Sequence, residues 1–189
     1  MKTRDIEGGK TASILGFRDV KLDDVDGFLN MVRANIYPAT IQMIDAKQVA
    51  GERHLFFAFL NAKKSFKQGD AISEKLEVET LLYASGQRQI TRAIEMLGIK
   101  PLTSDVAAII IASSEEEVNE AERELTRLVS GVRDDRTLEV RGRCKADNII
   151  KTFGITEPEL KAMTWSIASK NEAISWLVVE RVSLLAVTR

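Results

Sequence analysis

The chain has 189 residues, 44% of them hydrophobic and 29% charged, the proportions of a folded globular protein and not of a disordered one. Its 27 basic and 28 acidic side chains leave a formal charge of −1, which excludes a uniformly basic nucleic-acid coat but permits a local basic patch. One cysteine and one histidine cannot make an internal disulfide or a Cys/His zinc site. Residues 1–10 are polar, and no apolar run approaches the ~20 residues of a membrane-spanning helix. The expectation is a soluble cytoplasmic protein without metal or cofactor, folded as one domain over 1–189 with a flexible N-terminus over 1–11.

The first strand falls over Ser13 to Asp19, where Ile14, Leu15 and Phe17 lead to Val20. Asp23 or Asp24 then caps a helix carrying Val25, Phe28, Leu29 and Val32. Tyr37-Pro38 ends that helix, because the residue before proline is pushed out of the α region. Ile41 to Ile44 is a short second strand. Helical spacing extends from Ala46 to Lys67, with Val49, Phe56, Phe57, Phe59, Leu60 and Phe66 as anchors, and Gly69-Asp70 breaks it. Leu76 to Tyr83 forms the next helix, Ser85-Gly86 a tight joint, and Ile90, Ala93, Ile94 and Leu97 one face of another, stopped by Gly98. Val106 to Ile111 is a continuous apolar strand, buried on both faces. Ser114 and Glu117 form a capping box for a helix to Val129, and Thr156 and Glu159 a second one with Pro158 in the first turn. Asn171 to Val187 is a final long helix. The pattern predicts an α/β or α+β fold: a small mixed sheet of three to four strands under several helices, with a helical C-terminal layer from Lys145.

Several motifs invite chemistry that their context refuses. Gly8-Gly9-Lys10-Thr11 lacks the earlier glycine of a phosphate-binding loop, since Arg4 stands there, and a strand follows where that loop needs a helix. His54 lies in a helical run beside Leu55, Phe56 and Phe57, with no nucleophile motif near it. Cys144 stands among Arg141, Arg143 and Lys145, cations that favour a thiolate, but an incidental thiol near a helix start explains it as well. Glu115, Glu116 and Glu117 suit the positive end of a helix dipole and need no metal.

Two places carry more. Lys63, Lys64 and Lys67 bring three positive charges with no acid among them, and Ser85 to Arg92 opens a helix whose first N–H groups face outward. Arg88 and Arg92, four apart, are expected on one face. Together these segments would make a phosphate-binding surface. The second place is the last helix. Ile174, Leu177, Val178, Val182 and Leu185 form one apolar face, while Trp176, Val179, Ala186 and Val187 extend apolarity beyond it, as in a helix deeply buried or docked on a partner.

The middle of the chain resembles a known family. His54-Leu55, Ala58, Ala62, Ser65-Phe66, Gly69, Ile72-Ser73, Leu76, Glu79, then Leu82-Tyr83-Ala84-Ser85-Gly86-Gln87-Arg88-Gln89-Ile90, Ala93 and Gly98-Ile99 are similar to the PRPK-binding protein family, the small accessory subunit of the KEOPS (EKC) complex. The resemblance implies a subunit without catalytic residues. Its partners would be the complex's small atypical kinase (an ATPase), bound through C-terminal helices, and tRNA, held at its 3′ CCA end for threonylcarbamoyladenosine modification. On this reading Lys63, Lys64, Ser85, Gly86, Arg88, Gln89, Ile90 and Arg92 meet the tRNA. Trp176, Val179, Ser183 and Ala186 meet the kinase. The competing readings are a small enzyme using His54 or Cys144, and a stand-alone RNA-binding module. The net charge of −1 weighs against the last, because phosphate contacts dominate such affinity.

Overall fold

The computed structural model describes residues 2–3, 9–165, 167 and 169–187. In chain order the elements are β1 (Lys2–Thr3), β2 (Thr11–Arg18), α1 (Val25–Asn35), β3 (Thr40–Asp45), a 3-10 turn (Ala46–Gln48), α2 (Glu52–Gln68), α3 (Leu76–Ser85), α4 (Ile90–Leu97), β4 (Val106–Ala112), α5 (Glu115–Leu128), β5 (Val132–Arg133), a second 3-10 turn (Asp135–Leu138), α6 (Gly142–Phe153), α7 (Glu157–Thr164) and α8 (Lys170–Val187). They fall into two compact units. The first comprises Met1–Ala46 and Gly98–Thr137, the second Lys47–Leu97 and Leu138–Arg189.

The first unit is an α+β layer. Its sheet runs β1-β2-β4-β3, with β5 also paired to β2. Every described pairing is antiparallel, where a mixed sheet was expected. The reason is topological. β2 and β3 run in the same direction on either side of α1, but β4 inserts between them in the opposite sense, a split β-α-β arrangement. β4 is buried throughout, so its unbroken Val-Ala-Ala-Ile-Ile-Ile run marks a central strand whatever its direction. On one face of the sheet Leu15, Phe17, Ile41, Met43, Ala108 and Ile110 share a core with Val32 of α1 and Val118, Ala121 and Leu125 of α5.

Local chemistry fixes the element ends. Asp24, not Asp23, caps α1, its Oδ1 accepting the Gly27 N–H at 2.9 Å, and the Tyr37-Pro38 bond beyond the helix is cis. Ser114 Oγ accepts the Glu117 N–H at 3.2 Å. The returning Glu117 carboxylate takes the N–H of Ser113 at 2.9 Å, one residue earlier than the expected reciprocal box. The flexible segment expected over 1–11 lies largely outside the described residues. Within it Lys2 and Thr3 pair with Ser13 and Ala12, and Thr11 already belongs to β2. Lys10 donates to Ser113 Oγ at 3.0 Å, and a strand does follow it.

The second unit is helical. α2 packs on α3 and α8, α3 on α4 and α8, and α6 and α7 on α8. The single helix expected over Ala46 to Lys67 is divided, because Gly51 adopts φ +100°, a conformation that side-chain-bearing residues rarely take. The 3-10 turn therefore ends before α2 begins. The Thr156–Glu159 capping box of α7 is present, with the Thr156 N–H donating to Glu159 Oε2 at 2.7 Å. In α8, Ala173, Ile174, Leu177, Val178, Val179, Val182 and Leu185 are all buried. Helices α2, α3, α6 and α7 all pack on α8, which accounts for an apolar circumference wider than one stripe.

Arg181 locks this layer. Its guanidinium donates to the carbonyl oxygens of Phe153 at 2.8 Å and Gly154 at 3.3 Å, and to Glu159 Oε1 at 2.9 Å. It thus satisfies carbonyls at the C-terminal end of α6 and ties α8 to the first turn of α7.

Candidate functional site

The second unit contains a cleft of about 470 Å³, to which Lys64 and Arg88 both contribute. Helix α2 supplies Asn61, Lys64, Ser65 and Gln68, which share a stripe at three- and four-residue spacing. The α2–α3 loop supplies Asp70 and Ile72, and Tyr83 and Ala186 come from α3 and α8. The loop leaves α2 through Gly69, whose φ of +77° ends the helix, and the Asp70 N–H returns to the Ser65 carbonyl at 3.0 Å, as left-handed helix caps do. The cleft thus has two exposed cations, Lys64 and Arg88, and one exposed carboxylate, Asp70, beside amide, hydroxyl and phenol groups and the aliphatic Ile72 and Ala186.

A second hollow of about 260 Å³ is lined by Ser85, Gly86 and Gln87 together with Arg181, Leu184 and Leu185. Gly86 has φ +63°, and its N–H and that of Gln87 close the end of α3 on the Leu82 carbonyl. Ser85 is buried and donates its hydroxyl to the Leu82 carbonyl at 3.0 Å. The Ser85-Gly86 joint is therefore a helix cap, and its hydroxyl is engaged internally.

The eight residues expected to meet RNA are accordingly divided. Lys64 and Arg88 line the larger cleft, and Ser85 and Gly86 the smaller hollow. Lys63 lines neither: it faces another side of α2, half-buried, where burial and then the Lys67 charge hold its ammonium below the ordinary lysine value. Helix α4 begins only at Ile90, so Arg88 precedes it and the expected common helical face with Arg92 does not form. Gln89, Ile90 and Arg92 are exposed outside both hollows. Asn61, Ser65, Gln68, Asp70, Ile72 and Tyr83 line the cleft but were not expected at the RNA surface, although Ser65, Ile72 and Tyr83 stand among the residues of the family resemblance. The stripe formed by Asn61, Lys64, Ser65 and Gln68 is the signal that could have shown Asn61, Ser65 and Gln68.

The four residues expected to meet a kinase are also separated. Val179 is buried at 6% exposure. Trp176 is half-buried with the Arg53 guanidinium 5.0 Å above its ring, a cation–π contact. Ser183 Oγ donates to the Val179 carbonyl at 2.9 Å, and Ala186 lines the 470 Å³ cleft. Leu184, half-exposed, was not assigned a role in the sequence. The Val187 side chain lies outside the described residues.

His54 is fully buried. Its Nδ1 accepts the Ala50 N–H at 3.2 Å, so the ring is neutral and Nε2 carries the proton that it donates to the Ala84 carbonyl at 2.7 Å. Burial drives its pKa down to about 4, against the opposing pull of the Ala84 carbonyl and with help from the Lys145 charge. The ring packs edge-on against Phe153 at 5.4 Å. It is a core clamp between the start of α2 and the end of α3. Cys144 is exposed on the first turn of α6. Among the described residues no group of three His, Cys, Asp or Glu side chains could hold a metal, and no helix is long and apolar enough to cross a membrane.

Comparison with known proteins agrees with the resemblance carried by residues 54–99. The family model described as kinase binding protein CGI-121 matches residues 21–186. The "Regulatory protein Cgi121" of Methanocaldococcus jannaschii is 33% identical over 99 residues, which are 52% of this chain. The match spans 60% of that relative's own length. With its α+β sheet layer and helical C-terminal layer, and with the family model covering both, the chain belongs to the CGI-121 kinase binding protein family.

Proposed function

We propose that this chain is a non-catalytic accessory subunit of the KEOPS complex in the cytoplasm. It binds the small atypical kinase and helps recruit tRNA by its 3′ CCA end for threonylcarbamoyladenosine modification. The observation that carries the RNA half is the 470 Å³ cleft in which Lys64 and Arg88 flank hydrogen-bonding groups and Ile72. Splayed single-stranded ends are held by this combination: cations for phosphates, flat or apolar surface for bases, amides and hydroxyls for base edges. The membership of the CGI-121 family supports the kinase half. The engagement of both His54 ring nitrogens with backbone groups speaks against the histidine-based enzyme reading, because neither nitrogen is presented to a substrate.

In this account the protein works by placement. Binding of the kinase through the half-exposed positions of α8 (Trp176, Ser183 and Leu184) would leave the cleft of the same helical unit to hold the RNA terminus. The test is co-elution of the purified chain with the small atypical kinase of its own cell, followed by titration of tRNA into the pair. A stable pair that binds CCA-ended tRNA more tightly than the kinase alone is the expected result. No complex with the kinase, alongside tight tRNA binding by the chain alone, would favour the stand-alone RNA module instead.

A further inference from the structure

Glu79 sits in the first turn of α3 with no solvent exposure, a costly place for a carboxylate unless strong donors meet it. Its Oε2 accepts two consecutive backbone N–H groups, from Ile72 at 3.1 Å and Ser73 at 2.9 Å. These belong to the α2–α3 loop, whose Asp70 and Ile72 form one wall of the 470 Å³ cleft. Elsewhere the loop is held by short-range turns: Asp70 N–H on Ser65 O at its start, and Lys75 N–H on Ser73 Oγ at 3.1 Å at its end. Between those turns, the buried Glu79 carboxylate ties residues 72 and 73 to α3. Charge-assisted bonds to backbone N–H groups are short and directional, so this oxygen helps fix the backbone from which the Ile72 side chain projects.

We propose that Glu79 is a positioning residue for the RNA-end cleft: by gathering the Ile72 and Ser73 N–H groups on one buried oxygen, it holds the α2–α3 loop as the cleft's wall. The role rests on the RNA reading of that cleft. Glu79 does not touch the ligand. It pre-organises the surface that does, so its loss is felt as ordering that the ligand must supply on binding.

The test uses the full chain and a short RNA stem ending in CCA as probe. Wild type, Glu79→Gln, Glu79→Leu and Ile72→Ala are compared for binding and for amide hydrogen exchange of residues 72 and 73. Glu79→Gln keeps an acceptor oxygen and should bind within about threefold of wild type. Glu79→Leu removes the acceptor. Exchange at 72 and 73 should rise by about tenfold or more while α2 and α3 stay protected, and affinity should fall by about tenfold. Ile72→Ala, at a half-exposed position that leaves the fold intact, should weaken binding by about threefold to tenfold. This last arm decides the matter should Glu79→Leu fail to fold. Wild-type affinity in Glu79→Leu or in Ile72→Ala would overturn the proposal while leaving the RNA reading in place. Failure of wild type itself to bind the probe would overturn the RNA reading, and this role with it.

Discussion

At the scale of single residues, buried polar groups make this fold answer to pH. His54 is neutral in the folded protein, with a pKa of about 4 against an ordinary 6.5. Between those values the unfolded chain binds the proton that the folded chain refuses. Stability is therefore full above about pH 6.5 and falls as the pH drops toward 4, by on the order of 3 kcal/mol across that window. Urea unfolding from pH 7 to pH 5, in wild type and His54→Gln, measures it: the wild-type slope should exceed that of the variant, and equal slopes would refute the clamp. Glu159 is shifted by its bonds to the Thr156 N–H and hydroxyl and then to Arg181, down to about 2. Its contribution is present above the ordinary carboxylate range and is lost as the pH falls from 4.5 toward 2. It is partly exposed, so that loss is screened. Arg181→Met deletes the same lock from the other side and leaves the Phe153 and Gly154 carbonyls without their donor. It should lower stability by about 1–3 kcal/mol at neutral pH, visible as a lower unfolding midpoint with an unchanged denaturant slope.

Among elements, α8 shows how far periodicity reaches. Its spacing identified Ile174, Leu177, Val178, Val182 and Leu185 as the core face, and all are buried. Spacing alone set Val179 on a weaker outer stripe, yet it is also buried, because four helices pack around α8 and not one. Val179→Glu should therefore unfold the helical unit, as Leu177→Glu should, since an unpaired buried charge is not tolerated. Leu184→Glu, at a half-exposed position, should leave circular dichroism and thermal midpoint near wild type while reducing kinase capture. Wild-type capture by a folded Leu184→Glu would move the kinase interface off this part of α8. The strands β2, β3 and β4 were legible from their apolar runs, and several helix starts from local signals: Asp24 before α1, Ser114 before α5, Thr156 and Glu159 at α7; the two-residue β1 and β5 were not, being too short to carry a pattern. The break at Gly51 was not, because the residue's backbone conformation is invisible in a hydrophobic pattern. Nor was the start of α4 at Ile90, which removes Arg88 from the face it seemed to share with Arg92.

For the molecule as a whole, the sequence showed that positive charge gathers over 61–92 but not which charges converge. Convergence depends on the α2–α3 loop and on α8 returning from far along the chain to contribute Ala186, neither of which a linear reading can supply. It leaves Lys64 and Arg88 at the cleft and Lys63 on another side of α2. The central claim is that this cleft holds the RNA terminus. The most direct measurement is the affinity of the full chain for tRNA with an intact CCA end and for the same tRNA trimmed of it, over a salt series, in wild type and in Lys64→Glu/Arg88→Glu. The account predicts that trimming weakens wild-type binding by tenfold or more, on the order of 1.4 kcal/mol. In the double variant the intact tRNA should bind as weakly as the trimmed one, with a salt slope reduced by about 1.4 units for the two lost phosphate contacts. Equal wild-type affinity for both tRNAs, or an unchanged slope in the folded double variant, would contradict it.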